Sequence, residues 1–218
     1  MTAGPRESPV SGGVRSLEVR WIFPGQLETA VIGWFERFPA RMESRQDIYL
    51  LDPQLRGLSV KVRAGGSLEV KVYRGNQGIL EVAGRARGHV ESWQKWSFLC
   101  GQLSQASGGP AGWRLVSKTR RISRVSLTGG HTRAGVPGLG EGPRCEVELT
   151  EVHVSSEVWW TLGFEATGPD SLLRSELEAT AALVFAETLP GGVKPRANDS
   201  RSYAWLCGRP GADSDGGA

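Results

Sequence analysis

The feature that most constrains this chain is a period-two alternation of apolar and polar residues that recurs in segment after segment. Leu17, Val19 and Trp21 alternate with Ser16, Glu18 and Arg20; Leu58, Val60 and Val62 with Ser59, Lys61 and Arg63; Leu68, Val70 and Val72 with Glu69, Lys71 and Tyr73. The pattern returns where Cys145, Val147 and Leu149 oppose Arg144, Glu146 and Glu148, and where Trp160, Leu162 and Phe164 oppose Thr161, Gly163 and Glu165. Successive side chains of a strand point to opposite faces, so each segment reads as a strand with one apolar and one charged face. Segment 113–125 (WRLVSKTRRISRV) is more basic and carries Lys118 and Arg120 on one face. The chain has 30 Gly in 218 residues, about twice the usual share of roughly 7%, which fits many turns between strands.

Two segments switch to helical spacing. Leu27, Ala30, Val31, Trp34, Phe35 and Phe38 make one stripe that Pro39 stops, and Leu172 to about Glu187 follows a Pro169-Asp170-Ser171 start signal. A short third helix is expected to open at Asp199 or Ser200 and to carry Tyr203 and Leu206. Gly, Pro and Ser mark residues 1–14 and 208–218 as tails and 104–112 and 128–143 as surface loops, leaving 15–207 as one domain.

Hydrophobic residues at 39% and eight Trp supply enough apolar surface for a core. A net charge of +3 argues against a nucleic-acid-coating or acidic solvating chain. The first 15 residues hold no apolar leader, and Cys100, Cys145 and Cys207 are an odd set without CxxC spacing. These point to a cytoplasmic protein with no membrane and no nucleic-acid partner. His89, His131 and His153 are scattered and suggest no metal site, the glycines of 135–140 form no nucleotide-binding signature, and Trp93, Trp96, Trp159 and Trp160 are assigned to packing rather than base stacking.

The charged faces admit two readings. Arg20, Lys61, Arg63, Lys71, Lys118 and Arg120 stand at alternate positions of several strands, with Glu18, Glu69, Glu146, Glu148 and Glu165 in the same phase. On an open sheet they would be a solvated face with cross-strand ion pairs, in a protein unrelated to any charged ligand. In a barrel with its apolar faces outward under helices, they would line a lumen, and a charged lumen calls for a charged ligand.

The order of short motifs favours the lumen. The chain runs Ser16-Leu-Glu-Val-Arg20, an amphipathic helix, Asp47-Ile-Tyr-Leu50, Leu58 to Arg63, Leu68 to Lys71, Lys118-Thr-Arg-Arg121, Glu148 to Val152, Leu162 to Glu165, a long helix and Ser202 to Leu206. This order resembles the CYTH, or triphosphate tunnel metalloenzyme, family over roughly 15–206. The resemblance implies an α+β fold, a closed antiparallel β-barrel with a few helices packed outside. It implies that Arg20, Lys61, Arg63, Lys71, Lys118 and Arg120 grip the phosphates of a polyphosphate or nucleoside triphosphate. It also implies Mg or Mn held by carboxylates, with Glu18 and Glu165 catalytic.

The carboxylate set departs from that pattern. Ser16, Thr150 and Thr167 stand where the family carries acids, leaving Glu18 and Glu165, with Glu146 and Glu148 as substitutes that would complete a metal set of Glu18, Glu146, Glu148 and Glu165. A hydroxyl cannot replace carboxylate charge on a hard divalent ion. The leading expectation is therefore a tunnel that binds a triphosphate or polyphosphate with weak or absent metal-dependent phosphohydrolase activity. The enzyme alternative is an active Mg- or Mn-dependent triphosphatase or nucleotidyl cyclase. If the empty tunnel repels itself, Lys71→Ala should weaken polyphosphate binding while leaving the melting temperature equal or higher.

Overall fold

The structure, a computed structural model, describes residues 13–52, 54–55, 57–63, 66–99, 112–125 and 143–207. Nearly all of the expected tails and loops, with Cys100 and His131, lie outside these residues. Eight strands, β1 (Val14–Pro24), β2 (Ala40–Leu50), β3 (Leu58–Arg63), β4 (Ser67–Val82), β5 (Ala86–Leu99), β6 (Trp113–Val125), β7 (Arg144–Val154) and β8 (Glu157–Thr167), close into one barrel. Around it the order is β1-β5-β4-β3-β2-β6-β7-β8, every pair antiparallel. An eight-stranded barrel has an interior that side chains nearly fill.

The larger hydrophobic core lies outside the barrel wall. Leu17, Val19 and Trp21 of β1 join Val147 and Leu149 of β7 and Leu162 and Phe164 of β8. Helices α1 (Thr29–Phe35) and α2 (Asp170–Val184) cover them. Leu173, Leu177, Ala181 and Val184 of α2 recur at helical spacing and are buried on this face. Helix α1 is shorter than its apolar stripe because Glu36 ends it with a backbone N–H to Ile32, and Phe38 precedes Pro39, where helical backbone is disfavoured. Phe38 still packs against the same core.

A smaller apolar cluster sits inside one end of the barrel. Ile22, Tyr49, Val116, Val152, Val154 and Trp159 share their strands' inward phase and meet Leu206 and Cys207 of α3 (Tyr203–Cys207), which follows a 3-10 turn at Ala197–Asp199. Helix α3 thus packs against that end, with the Arg114 guanidinium donating to the Cys207 carbonyl at 2.7 Å. Cys145 and Cys207 are free and buried. No helix among the described residues is long and apolar enough to cross a membrane.

Candidate functional site

Closure puts the charged phase inside. Register aligns Glu91 of β5, Glu18 of β1, Glu165 of β8 and Glu146 of β7 as one row across four neighbouring strands. Each of the six expected cations faces an acid from another part of the wall. Lys71 donates to Glu18 at 2.7 Å and lies 3.6 Å from Glu165. Lys61 and Arg63 flank Glu69 at 2.9 and 2.6 Å. Arg20 and Arg120 both bind Glu148, the first at 3.2 Å. Arg20 needs the space left by Gly163, where a Cβ would lie 2.7 Å from its Cζ. Lys118, only 2% exposed, donates to Asp47 at 3.0 Å and to the Tyr49 hydroxyl at 2.6 Å.

The pairing overturns the expected self-repulsion of the empty tunnel. Lys71 pairs with Glu18 and stands near Glu165, which Lys95 also pairs at 3.3 Å, so Lys71→Ala strands the part-buried Glu18 carboxylate rather than relieving like-charge strain, and an unchanged or higher melting temperature no longer follows. Burial works to raise the Glu165 carboxyl, but Lys71 and Lys95 more than offset it and hold it below its ordinary value. Burial acts on Lys61 in the opposite sense to its partners, pressing it down to about 8 against the pull of Glu69 and Asp47.

The hydroxyls that stand in acid positions serve the remaining acids. Ser16 Oγ donates to Glu18 at 2.6 Å and Thr150 Oγ1 to Glu148 at 2.7 Å. The Tyr203 hydroxyl reaches in from α3 to Glu148 at 3.1 Å, and its ring lies under both Arg20 and Lys118. Glu146 is held by Arg124 at 2.6 Å. Among the described residues no group of three or more His, Cys, Asp or Glu is placed to hold a metal ion. Glu18, Glu146, Glu148 and Glu165 each point at cations, so the residues as arranged do not fit the Mg or Mn that the resemblance implies.

At the end opposite α3 the lumen opens into a cavity of about 440 Å³. Arg63 and Arg120 line it from the expected set, joined by Arg41, Arg45, Lys95, Arg124 and Arg144, against Glu43, Glu69, Glu146 and Glu165. Cations therefore outnumber carboxylates at this mouth by seven to four. Glu69 also lines a tighter inner cavity of about 60 Å³ with Arg20, Lys61 and Lys71. Of the additional residues Arg41, Glu43 and Arg45 come from β2 and Lys95 from β5, strands whose inward phase is hard to read because neither alternates cleanly between apolar and polar. Lys95, whose register the sequence leaves open, points inward to Glu165 at 3.3 Å.

On the inner side, Trp93 lines the lumen rather than the outer core, while Trp160 packs in the outer core and Trp159 in the inner apolar cluster. Trp93 Nε1 donates to Glu91 at 2.9 Å. Burial raises the Glu91 carboxyl above its ordinary value, opposed by the Trp93 hydrogen bond and reinforced by the charge of Glu18.

No family model matches the chain, and no curated protein does. Among solved structures it is similar to a conserved hypothetical protein from Pyrococcus furiosus at 16% identity, covering 87% of this chain and 99% of that one with a TM-score of 0.42. It is similar to the mimivirus capping enzyme triphosphatase at 10% identity, covering 82% and 92% with a TM-score of 0.46. The RNA triphosphatase Pct1 of S. pombe gives 8% identity, 82% and 80% coverage and a TM-score of 0.40.

Proposed function

We propose that this chain binds a triphosphate or polyphosphate group in its tunnel, in the cytoplasm, with weak or absent metal-dependent phosphohydrolase activity. The observation that carries the reading is the cation excess at the open mouth, continuous through Glu69 with the inner Arg20, Lys61 and Lys71. Phosphate oxygens call for several Arg and Lys donors converging from different strands, and a guanidinium offers paired N–H groups to each phosphate. Polyphosphate would enter at the mouth, meet Arg63, Arg120 and Arg124, and exchange their ion pairs with protein carboxylates for pairs with its own oxygens.

The carboxylates give the main argument against turnover, since hydrolysis in such a tunnel calls for a metal that polarises phosphate and supplies hydroxide. The triphosphatase reading has one observation in its favour, the in-register row of Glu18, Glu165 and Glu146 on adjacent strands. Titration calorimetry with inorganic tripolyphosphate separates these readings when combined with phosphate release in Mn or Mg. Arg63→Gln, at a side chain 33% exposed, should weaken tripolyphosphate binding about tenfold or more while the fold persists, since a charge-assisted contact is worth roughly 1.5–3 kcal/mol. Equal binding by parent and variant would remove the mouth from the site. Turnover of about 1 per second or faster would replace the binding reading with the enzyme one.

The pH dependence follows from Lys61. Burial presses its ammonium down to about 8, and a bound phosphate raises that value by supplying an anion beside it. Binding then takes up protons around and above pH 8, so affinity is greatest below that value and falls as pH rises through it. Calorimetry at pH 8 in buffers of different ionisation heat should register proton uptake, and Lys61→Arg, charged throughout, should reduce it to the share of Lys118, which burial presses down to about 7.

A further inference from the structure

The helices cover the outward phase on only part of the barrel wall. Lys61, Lys71 and Lys95 point into the lumen, so the residues that alternate with them on β3, β4 and β5 face outward. Register aligns Val60, Val70 and Trp96 as one rung across these three strands and Val62, Leu68 and Phe98 as the next. Ile48 of β2 and Leu115 of β6, the latter 51% exposed, continue the second rung around the wall. All six central side chains are half-buried, and none joins either hydrophobic core among the described residues. A contiguous apolar patch of this kind marks an interaction surface rather than scattered exposed side chains.

The chemistry of the face favours a second copy of itself. Neither rung carries a charge, and the outward Gln46 and Gln94 beside them are neutral. Two such faces therefore meet no like charge, whereas an anionic membrane would find no Lys or Arg in the rungs to hold it. Residues 1–12, which lead into Gly13, offer only Met1 and Val10 as large apolar side chains, too few to match both rungs. Four strands at about 4.8 Å spacing and three same-face positions along each give a footprint of about 400 Å². With a polar rim this approaches the roughly 800 Å² per partner of a standard interface, which suits a weak dimer. Trp96 supplies the anchor: its indole lies against Gly13, where a Cβ would be 2.5 Å from the ring, so its position is fixed before a partner arrives.

We propose that the outer face of β3, β4 and β5 is the contact of a two-fold homodimer, in which it packs against the same face of a second copy. Isologous contact brings Val70, at the centre of the patch, near the two-fold axis. The lumen lies on the opposite side of the same strands, so the dimer obstructs neither tunnel and is independent of what the tunnel binds.

The test is sedimentation velocity of the full chain over a concentration series. The parent should pass from monomer to dimer with a dissociation constant on the order of 10 μM. Val70→Lys, which sets like charges near the axis, should weaken association by about tenfold or more. Phe98→Gln, at the edge of the patch, should act in the same direction, and far-UV circular dichroism should match the parent for both. Leu172→Lys, at a side chain 41% exposed on α2, should dimerise like the parent. If Val70→Lys does not fold, Phe98→Gln decides alone. A parent that stays monomeric throughout, folded variants of the patch that dimerise like the parent, or a dimer lost in Leu172→Lys overturns the proposal. Flotation of a monomeric parent with vesicles of phosphatidylcholine and phosphatidylglycerol also overturns it and gives the face to a membrane.

Discussion

Glu148→Gln is expected to destabilise the protein by about 3–5 kcal/mol, the range for breaking a buried ion pair by removing one partner. The Glu148 carboxylate, 10% exposed, sits between Arg20 and Arg120. It also accepts from Thr150 at 2.7 Å and from Tyr203 at 3.1 Å. A glutamine keeps the volume but withdraws the charge, leaving two largely buried guanidinium groups to repel each other across the lumen. Urea unfolding near pH 7 should show the loss as a lower midpoint with an unchanged slope. Burial works to raise the Glu148 carboxyl, yet Arg20 and then Arg120 hold it well below the ordinary value of 4.5. Because its folded value is depressed, its contribution is complete above the unfolded value and fades as pH falls through the folded one. The gap between parent and variant should therefore narrow as unfolding is measured below pH 4.5. A gap that is small at neutral pH, or that does not change with acid, would show that the arginines do not depend on Glu148.

On the outer face of β1, Trp21→Ala is expected to cost about 3–5 kcal/mol by a different mechanism, the lost transfer energy and the cavity left behind. Trp21 is 0% exposed and meets Phe164 and Phe185 edge to face at 6.0 and 5.8 Å. Its indole Nε1 donates to the Arg87 carbonyl at 2.9 Å, so the variant also removes that acceptor's side-chain donor. The loss should be nearly independent of pH, which distinguishes it from that at Glu148. A loss within about 0.5 kcal/mol, the scale of ordinary surface changes, would contradict a core built outside the barrel under α2.

Both phases of β1 were legible in the sequence because this strand is apolar on the helix side and polar on the lumen side, so period two shows in hydrophobicity alone. The same holds for β7 and β8, which α2 also covers. Strand β2 was legible only through its Asp47 and Tyr49 motif. Its inward Glu43, Arg45 and Asp47 alternate with outward Met42, Ser44 and Gln46, and both faces are largely polar because no described helix covers this part of the wall. Strand β5 hid for another reason. Its partner β4 shifts register between Tyr73 and Gly75 and again between Asn76 and Ile79, and aromatic residues occur in both of its phases. The inward direction of Trp93 and Lys95 therefore could not be counted back from the β4–β5 turn.

The sequence by itself determined which residues share a face: alternation is local, and a one-residue slip would carry every charge in a strand to the opposite side. It also put Arg20, Lys61, Arg63, Lys71, Lys118 and Arg120 on the polar phases of their strands. Only the tertiary structure decided that the charged faces point inward, because that depends on closure through the β1–β5 and β2–β6 pairings, which join strands far apart in the chain. Closure likewise decided which acid each cation meets. Lys71 finds Glu18 53 residues away and Arg20 finds Glu148 128 residues away, and neither separation has any signature in local spacing. The same long-range register leaves Glu91 beside Glu18 with no cation of its own among the described residues, since ion pairing is set by distances across the lumen rather than by the number of charges a strand carries.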